Sequence, residues 1–249
     1  MTRCFIPVVS ADRVPLPPDE AHHVTRVLRL GAGADVVVFD GQGHEWDARI
    51  AAIDRHDVTI EIVASRTPVA EPAIAVTLAV ALLKGDQMAT VVRDATALGV
   101  AVIQPFVSSH VAVPARAWRD RSIERWQRVA VASAKQCGRS VVPAMADVLT
   151  YPDVLDRAGD DLVLCCVEPV RGVTLDAGRS IARPSTGRAW LCIGPEGGWS
   201  AQELALARQR HATLIGLGPR TLRAEIAPTV ALSALWTQWG WDGTSSLER

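Results

Sequence analysis

Lysine is nearly absent from this chain: Lys84 and Lys135 are the only two, and the remaining positive charge is arginine. With Ala and Val abundant, this is a coding bias, so arginine counts alone do not argue for a polyanionic partner. The formal net charge of −1 excludes attraction by overall charge and leaves only local patches. Cysteine is scarce and unpaired in pattern. Cys4, Cys137, Cys165, Cys166 and Cys192 are odd in number and contain no C-x-x-C, which excludes a disulfide framework or zinc knuckle and fits a reducing compartment. No metal is expected. The longest apolar run, Ala73 to Leu83, contains Thr77 and falls far short of the ~20 residues of a membrane span. The start, Met1-Thr-Arg-Cys-Phe-Ile-Pro7, has no apolar h-region. A soluble, cytoplasmic protein without membrane contact is therefore expected. What the chain does have is apolar material, 49% of 249 residues, enough for a sizeable core and too much for global disorder.

The first seventy residues read as short β-segments separated by turns. Val36 to Phe39 runs into the turn signal Asp40-Gly-Gln-Gly43, Glu45 to Ile53 returns, and Val58 to Val63 alternates as a half-buried strand does. A short helix is expected between Asp19 and Leu30, after Pro17-Pro18 and before Gly31. Thr67 to Pro72 reads as a linker. From Ala73 onward the pattern is of buried strands alternating with helices. Strands are expected at Ile74–Leu83, Val100–Val107, Leu162–Val167, Ala189–Ile193 and Thr213–Leu217, helices at Gln87–Leu98 and Arg119–Cys137, and a last helix to about Trp239. The expectation is an α/β chain: a small β-barrel-like module over residues 1–72, and an α/β domain with a mainly parallel sheet over 73–249.

Two strand-to-helix junctions carry the chemical signal. In Ile193-Gly194-Pro195-Glu196-Gly197-Gly198-Trp199-Ser200, glycines permit tight turning and close approach of a ligand, and Ser200 with Glu203 forms a capping-box signature. In Leu217-Gly218-Pro219-Arg220-Thr221-Leu222-Arg223-Ala224-Glu225, a second glycine loop leads into a helix and bears two arginines and an acid. Either loop alone reads equally well as an ordinary turn. Together they lie where α/β sheets bind ligands, outside the carboxyl ends of strands. Gly216-Leu-Gly218 imitates a dinucleotide fingerprint, but Thr221 stands in place of the third glycine and the βαβ continuation is missing, so a nicotinamide-dependent dehydrogenase is a weak competitor.

These two segments resemble the signatures of the 16S ribosomal RNA (uracil-N3)-methyltransferase family, in the SPOUT superfamily of knotted methyltransferases. His22-His-Val-Thr-Arg26-Val-Leu-Arg29, Phe39-Asp-Gly41, Leu83-Lys-Gly-Asp86, Ala97-Leu-Gly99 and Ala134-Lys-Gln-Cys-Gly-Arg139 match in the expected order. The resemblance implies a PUA-like RNA-binding barrel, then a SPOUT α/β domain with a trefoil knot, in a homodimer. It implies S-adenosyl-L-methionine as cofactor, held by Val167, Glu168, Ile193, Gly194, Pro195, Glu196, Gly197, Gly198, Leu217, Gly218, Arg220 and Leu222. It implies ribosomal RNA processing, with 16S rRNA or the small ribosomal subunit as substrate. The family usually has Arg-Thr-Glu-Thr-Ala where this chain has Arg223-Ala-Glu-Ile-Ala227, which removes a hydroxyl at Ile226 and is followed by Pro228.

Methylating N3 of uracil requires removal of an imide proton. Glu225 is the candidate base, Arg223 the candidate stabiliser of the uracil anion, and Arg139 a third active-site candidate. Arg223 and Glu225 also read as a plain ion pair at a helix start. Arg3, His22, Arg26, Arg29 and Lys84 are the candidate RNA contacts. Arg116, Arg119, Arg121, Arg125, Arg128, Lys135 and Arg139 make a local basic excess that fits phosphates or, equally, a solvated helix face. A non-catalytic RNA-binding protein of the same fold is the main alternative.

Overall fold

The computed structural model describes residues 1–54, 57–111, 120–169 and 180–241. The chain forms two compact units. One comprises Met1–Ala70 with Val131–Val142, the other Glu71–Ala130 with Pro143–Arg249. Residues 131–142, which the sequence places in the second domain, thus pack with the first.

In the first unit, β1 (Thr2–Phe5), β2 (Arg13–Pro15), β3 (Asp35–Phe39), β4 (Glu45–Asp54) and β5 (Asp57–Arg66) form a five-stranded sheet in the order β1-β3-β4-β5-β2. The long β4–β5 pair carries register shifts at Asp47/Ala48 and Ile50/Ala52, where bulges bend and twist the ribbon. Alternate residues face the core: Val36 and Val38, Ile50 and Ile60 are all buried. The single helix expected over Asp19–Leu30 is instead a five-residue α1 (Pro18–His22) opened by Pro18 and followed by a π-helical turn, His23–Val27. Arg29 closes it in the left-handed region, at φ 54°. The expected strands 36–39, 45–53 and 58–63 are present, whereas β1 and β2 escape a reading that relies on longer alternation.

The second unit is built on β6 (Ala75–Ala81), β7 (Val102–Val107), β8 (Ala144–Met145), β9 (Leu149–Thr150), β10 (Leu162–Cys166), β11 (Arg188–Ile193) and β12 (Thr213–Ile215). Their order is β12-β10-β11-β6-β7-β8, with β9 also on β7, and every pairing is parallel. The apolar runs seen in the sequence are what a sheet covered on both faces needs. Helices α2 (Gln87–Ala97), α3 (Asp120–Cys137), α5 (Ala201–Gln209) and α6 (Ala227–Trp239) fall where expected. Helix α4 (Tyr151–Ala158) does not appear in the sequence reading, although Thr150 caps it by accepting from the Asp153 N–H and Pro152 sits in its first turn. On α6, Trp236 is fully buried and donates its indole N–H to the Leu98 carbonyl at 2.7 Å, fixing α6 against the end of α2.

Candidate active site

Because β10, β11 and β12 run parallel, with Cys166 opposite both Ile193 and Ile215, their carboxyl ends finish side by side. The loops that follow enclose a cleft of about 530 Å³, within the range of small-ligand sites. Cys166 to Pro169 form one wall, Ile193 to Trp199 the second, and Leu217 with Arg220 to Glu225 the third; Gln87 at the start of α2 closes an end.

The second wall is held from behind. Ser200 caps α5 in a full capping box with Glu203. The Glu203 carboxylate also accepts from the Ser108 hydroxyl at 2.8 Å and the Ser109 N–H at 2.9 Å, joining the end of β7 to this loop. Burial raises the Glu203 pKa, but hydrogen bonds from Ser109, Ser200 and Ser108 outweigh it and hold the carboxyl below its ordinary value. Trp199 donates its indole N–H to the Cys166 carbonyl at 2.8 Å and packs on Tyr151 at 4.7 Å and Phe106 at 6.0 Å between ring centroids. A Cβ on Gly194 would lie 2.9 Å from that ring, so the strand end must be glycine for the indole to seat. Gly198, at φ 72°, turns the chain against Glu168, whose carboxylate accepts from the Trp199 N–H at 3.3 Å.

The cysteines near the cleft are core residues rather than nucleophiles. Burial pushes the Cys166 thiol up. Cys165 and Cys192 lie opposite one another on β10 and β11, completely buried, with the Tyr151 hydroxyl 3.4 Å from the Cys165 sulfur.

The third wall carries the ionisable pair. Arg223 is 81% exposed and Glu225 14%, with Nη1 3.9 Å from Oε1. Ile226, the N-cap of α6, is exposed and offers no capping side chain; Pro228 sits harmlessly in the first turn. Glu196 accepts from the Lys84 backbone N–H at 3.1 Å.

Of the residues nominated from sequence, Val167, Glu168, Ile193, Gly194, Pro195, Glu196, Gly197, Gly198, Leu217, Arg220, Leu222, Arg223 and Glu225 line this cleft. Gly218, Lys84 and Arg139 do not. Arg139 is buried in the first unit, where its carbonyl accepts from Arg3. Arg3 is itself committed: it pairs with buried Glu45 at 3.0 Å, bonds Ser140 and lies over the Phe39 ring. Its guanidinium is thus part of the unit's interior, not an open phosphate contact. His22, Arg26 and Arg29 are exposed. Lys135 is paired with Glu20 at 2.7 Å and Arg125 with Asp86 at 2.6 Å, while Arg128 is exposed. Arg116 and Arg119, and the side chain of Arg121, lie outside the described residues. Gln87, Cys166, Pro169, Trp199, Thr221, Ala224 and Ala227 line the cleft without having been nominated. Most of these adjoin nominated residues; Gln87 directly follows the Leu83–Asp86 segment, which is the one signal in the sequence that could have pointed to it.

A parallel sheet with glycine loops and a cleft at its carboxyl ends defines the class of α/β proteins that bind a small cofactor at strand termini. Residues 70–236 match the RNA methyltransferase domain family, and residues 16–63 match the PUA domain of RNA methyltransferases. The chain is 32% identical over 228 residues to ribosomal RNA small subunit methyltransferase E of Synechocystis, covering 89% of this chain and 72% of that protein. The Bacillus subtilis protein of the same name is 29% identical, with 87% of each chain covered. The solved Neisseria gonorrhoeae enzyme of that name, bound to S-adenosyl methionine, superposes with a TM-score of 0.84 at 30% identity, covering 96% of this chain and 98% of that one. A methyltransferase from Legionella pneumophila, solved with its cofactor SAM, gives 0.86 at 27% identity, covering 94% and 96%. The chain belongs to the ribosomal RNA small subunit methyltransferase E family. The α/β architecture expected from sequence, a PUA-like module ahead of a SPOUT methyltransferase domain, is the one found. Among the described residues no helix is long and apolar enough to cross a membrane.

Proposed function

We propose that this protein is a cytoplasmic, homodimeric, S-adenosylmethionine-dependent methyltransferase that modifies N3 of a uridine in 16S ribosomal RNA. In this reading residues 1–72 are the RNA-gripping domain and 73–249 the catalytic one. The observation that carries it is the cleft at the ends of β10, β11 and β12, with Arg223 and Glu225 on its wall. The residues present fit the cofactor. Gly194, Gly197 and Gly198 put a glycine-bearing loop on the wall, where the backbone can approach a ligand closely. Val167, Ile193, Leu217 and Leu222 supply apolar surface. Glu168 and Glu196 place negative charge in a cleft that would hold a sulfonium and an ammonium group.

When bound, the cofactor supplies an electrophilic methyl group. The chain supplies alignment and proton control. Glu225 takes the imide proton from N3, leaving its electron pair free to attack. Arg223 donates to a uracil carbonyl oxygen, where the negative charge collects. His22, Arg26 and Arg29 contact phosphates, which fix register rather than sequence.

The test is transfer of labelled methyl from S-adenosylmethionine to small ribosomal subunits lacking this modification, followed by nucleoside analysis. Labelled 3-methyluridine is expected. Cofactor binding without transfer to any RNA would favour a non-catalytic RNA-binding protein.

A further inference from the structure

Gln87, the first residue of α2, is half-buried at the end of the cleft, with its amide between two carboxylates from different walls. In one orientation of the amide, Nε2 donates to Glu225 Oε2 at 3.3 Å and the amide oxygen faces Glu196. In the other, Nε2 donates to Glu196 Oε1 at 2.7 Å and to the Lys84 carbonyl at 3.2 Å, and the oxygen faces Glu225. The second orientation satisfies more partners, which is the basis on which amide ends are assigned. An amide donates from one end and accepts at the other. It therefore cannot serve two ionised carboxylates on opposite sides: whichever faces the oxygen is repelled unless it carries a proton. Glu196 already accepts from the Lys84 backbone N–H, and in the second orientation it accepts from Nε2 as well. Glu225 is then the carboxylate that gains a partner in Oε1 when it takes up a proton.

We propose that Gln87 is a positioning residue for the reaction, tying Glu196 to Glu225 and accepting a hydrogen bond from Glu225 once that carboxyl has taken the substrate proton. The proposal rests on Glu225 as the base. The N3–H bond breaks, its electron pair stays on nitrogen, and the proton passes to a Glu225 oxygen, which donates it to Gln87 Oε1. The nitrogen pair then forms the bond to the methyl group as the sulfur keeps the pair of the broken C–S bond. Solvent finally removes the proton from Glu225. Among the described residues, the other charged groups at this end of the cleft are Arg223 and Arg220 on the loop of Glu225, Glu168 and Glu196 on the opposite walls, and Lys84 with the Asp86–Arg125 pair beside α2.

The experiment compares the full-length protein with Gln87→Met, which keeps length and loses both hydrogen bonds, and Gln87→Glu, which adds a charge. Cofactor affinity is measured by calorimetry and single-turnover methyl transfer is followed against pH. Gln87→Met is expected to bind cofactor within about threefold of wild type while kcat falls about tenfold or more, a fraction of what general base catalysis supplies. In Gln87→Glu, a third carboxylate disfavours an ionised Glu225, so the rising limb of the rate profile moves to higher pH. Wild-type kcat in Gln87→Met, or an unmoved limb in Gln87→Glu, overturns the proposal. So does a loss of rate matched by an equal loss of cofactor affinity, which marks a structural role. Failure of the wild type to methylate any RNA would instead sink the underlying functional reading.

Discussion

Substituting Gly194 by alanine adds one methyl group at a point where the structure has no room. The new Cβ lies 2.9 Å from two atoms of the Trp199 indole and 3.2 Å from a third. The indole has little freedom to retreat, being 7% exposed, bonded to the Cys166 carbonyl and packed on Tyr151 and Phe106. Overpacking of this kind costs about 1–3 kcal/mol, and losing the indole hydrogen bond adds about 1 kcal/mol. The sum of roughly 2–4 kcal/mol corresponds to a fall in Tm of about 5–15 °C for a chain of this size. Thermal unfolding by circular dichroism reads it directly, with Gly31→Ala as control because a Cβ there meets nothing within 4 Å. Since the displaced indole supports the cleft wall, cofactor affinity falls with Tm. A Gly194→Ala protein that melts like wild type would refute the claim that Trp199 fixes the loop by leaving no space at residue 194.

Glu203→Ala removes the acceptor of four hydrogen bonds from Ser108, Ser109 and Ser200 and is expected to cost about 3–5 kcal/mol in chemical denaturation. Because the folded-state pKa of Glu203 is depressed, its contribution is present above the ordinary carboxyl value of 4.5 and is lost as pH falls through the folded value. The loss of stability on acidification is accordingly shallower in Glu203→Gln than in wild type. Arg3→Ala leaves Glu45, 4% exposed, with Arg66 and Ser140 alone, and is expected to destabilise the protein by about 3 kcal/mol in urea unfolding; an unchanged midpoint would return Arg3 to the RNA-contact candidates. Arg223→Ala is expected to abolish methyl transfer while leaving cofactor affinity nearly intact, because its side chain is exposed on the cleft wall.

The glycine loops were legible because their chemistry is local. Gly194 to Gly198 followed by the Ser200–Glu203 capping box announces a strand end, a tight turn and a helix start within a dozen residues, and the structure contains all three. The parallel sheet was legible because strands covered on both faces must be apolar throughout. What stayed hidden depends on partners distant in the chain. Strand β1 is four residues long and exists through parallel pairing with β3. The interior position of Arg3 and Arg139 follows from burial beside Glu45 and Ser140, whereas an arginine in a motif reads the same whether it faces solvent or a carboxylate. Gln87 joins the cleft only because β6 lies beside β11 in the sheet, so that α2 begins where the Glu196 loop ends. Helix α4 is a different case: Thr150, Pro152 and Asp153 mark its start, and Tyr151, Val154, Leu155 and Ala158 bury one face at helical spacing, so its signal is local, though confined to eight residues.

The most direct test of the central claim is a crystal structure of this protein grown with S-adenosylmethionine. The account predicts cofactor density in the cleft, against the backbone of Gly194 to Gly198 and the Leu217–Leu222 loop, with its methyl group facing the side of Arg223 and Glu225. Cofactor bound elsewhere on the chain, or bound with Arg223 and Glu225 turned away from its methyl group, would contradict it.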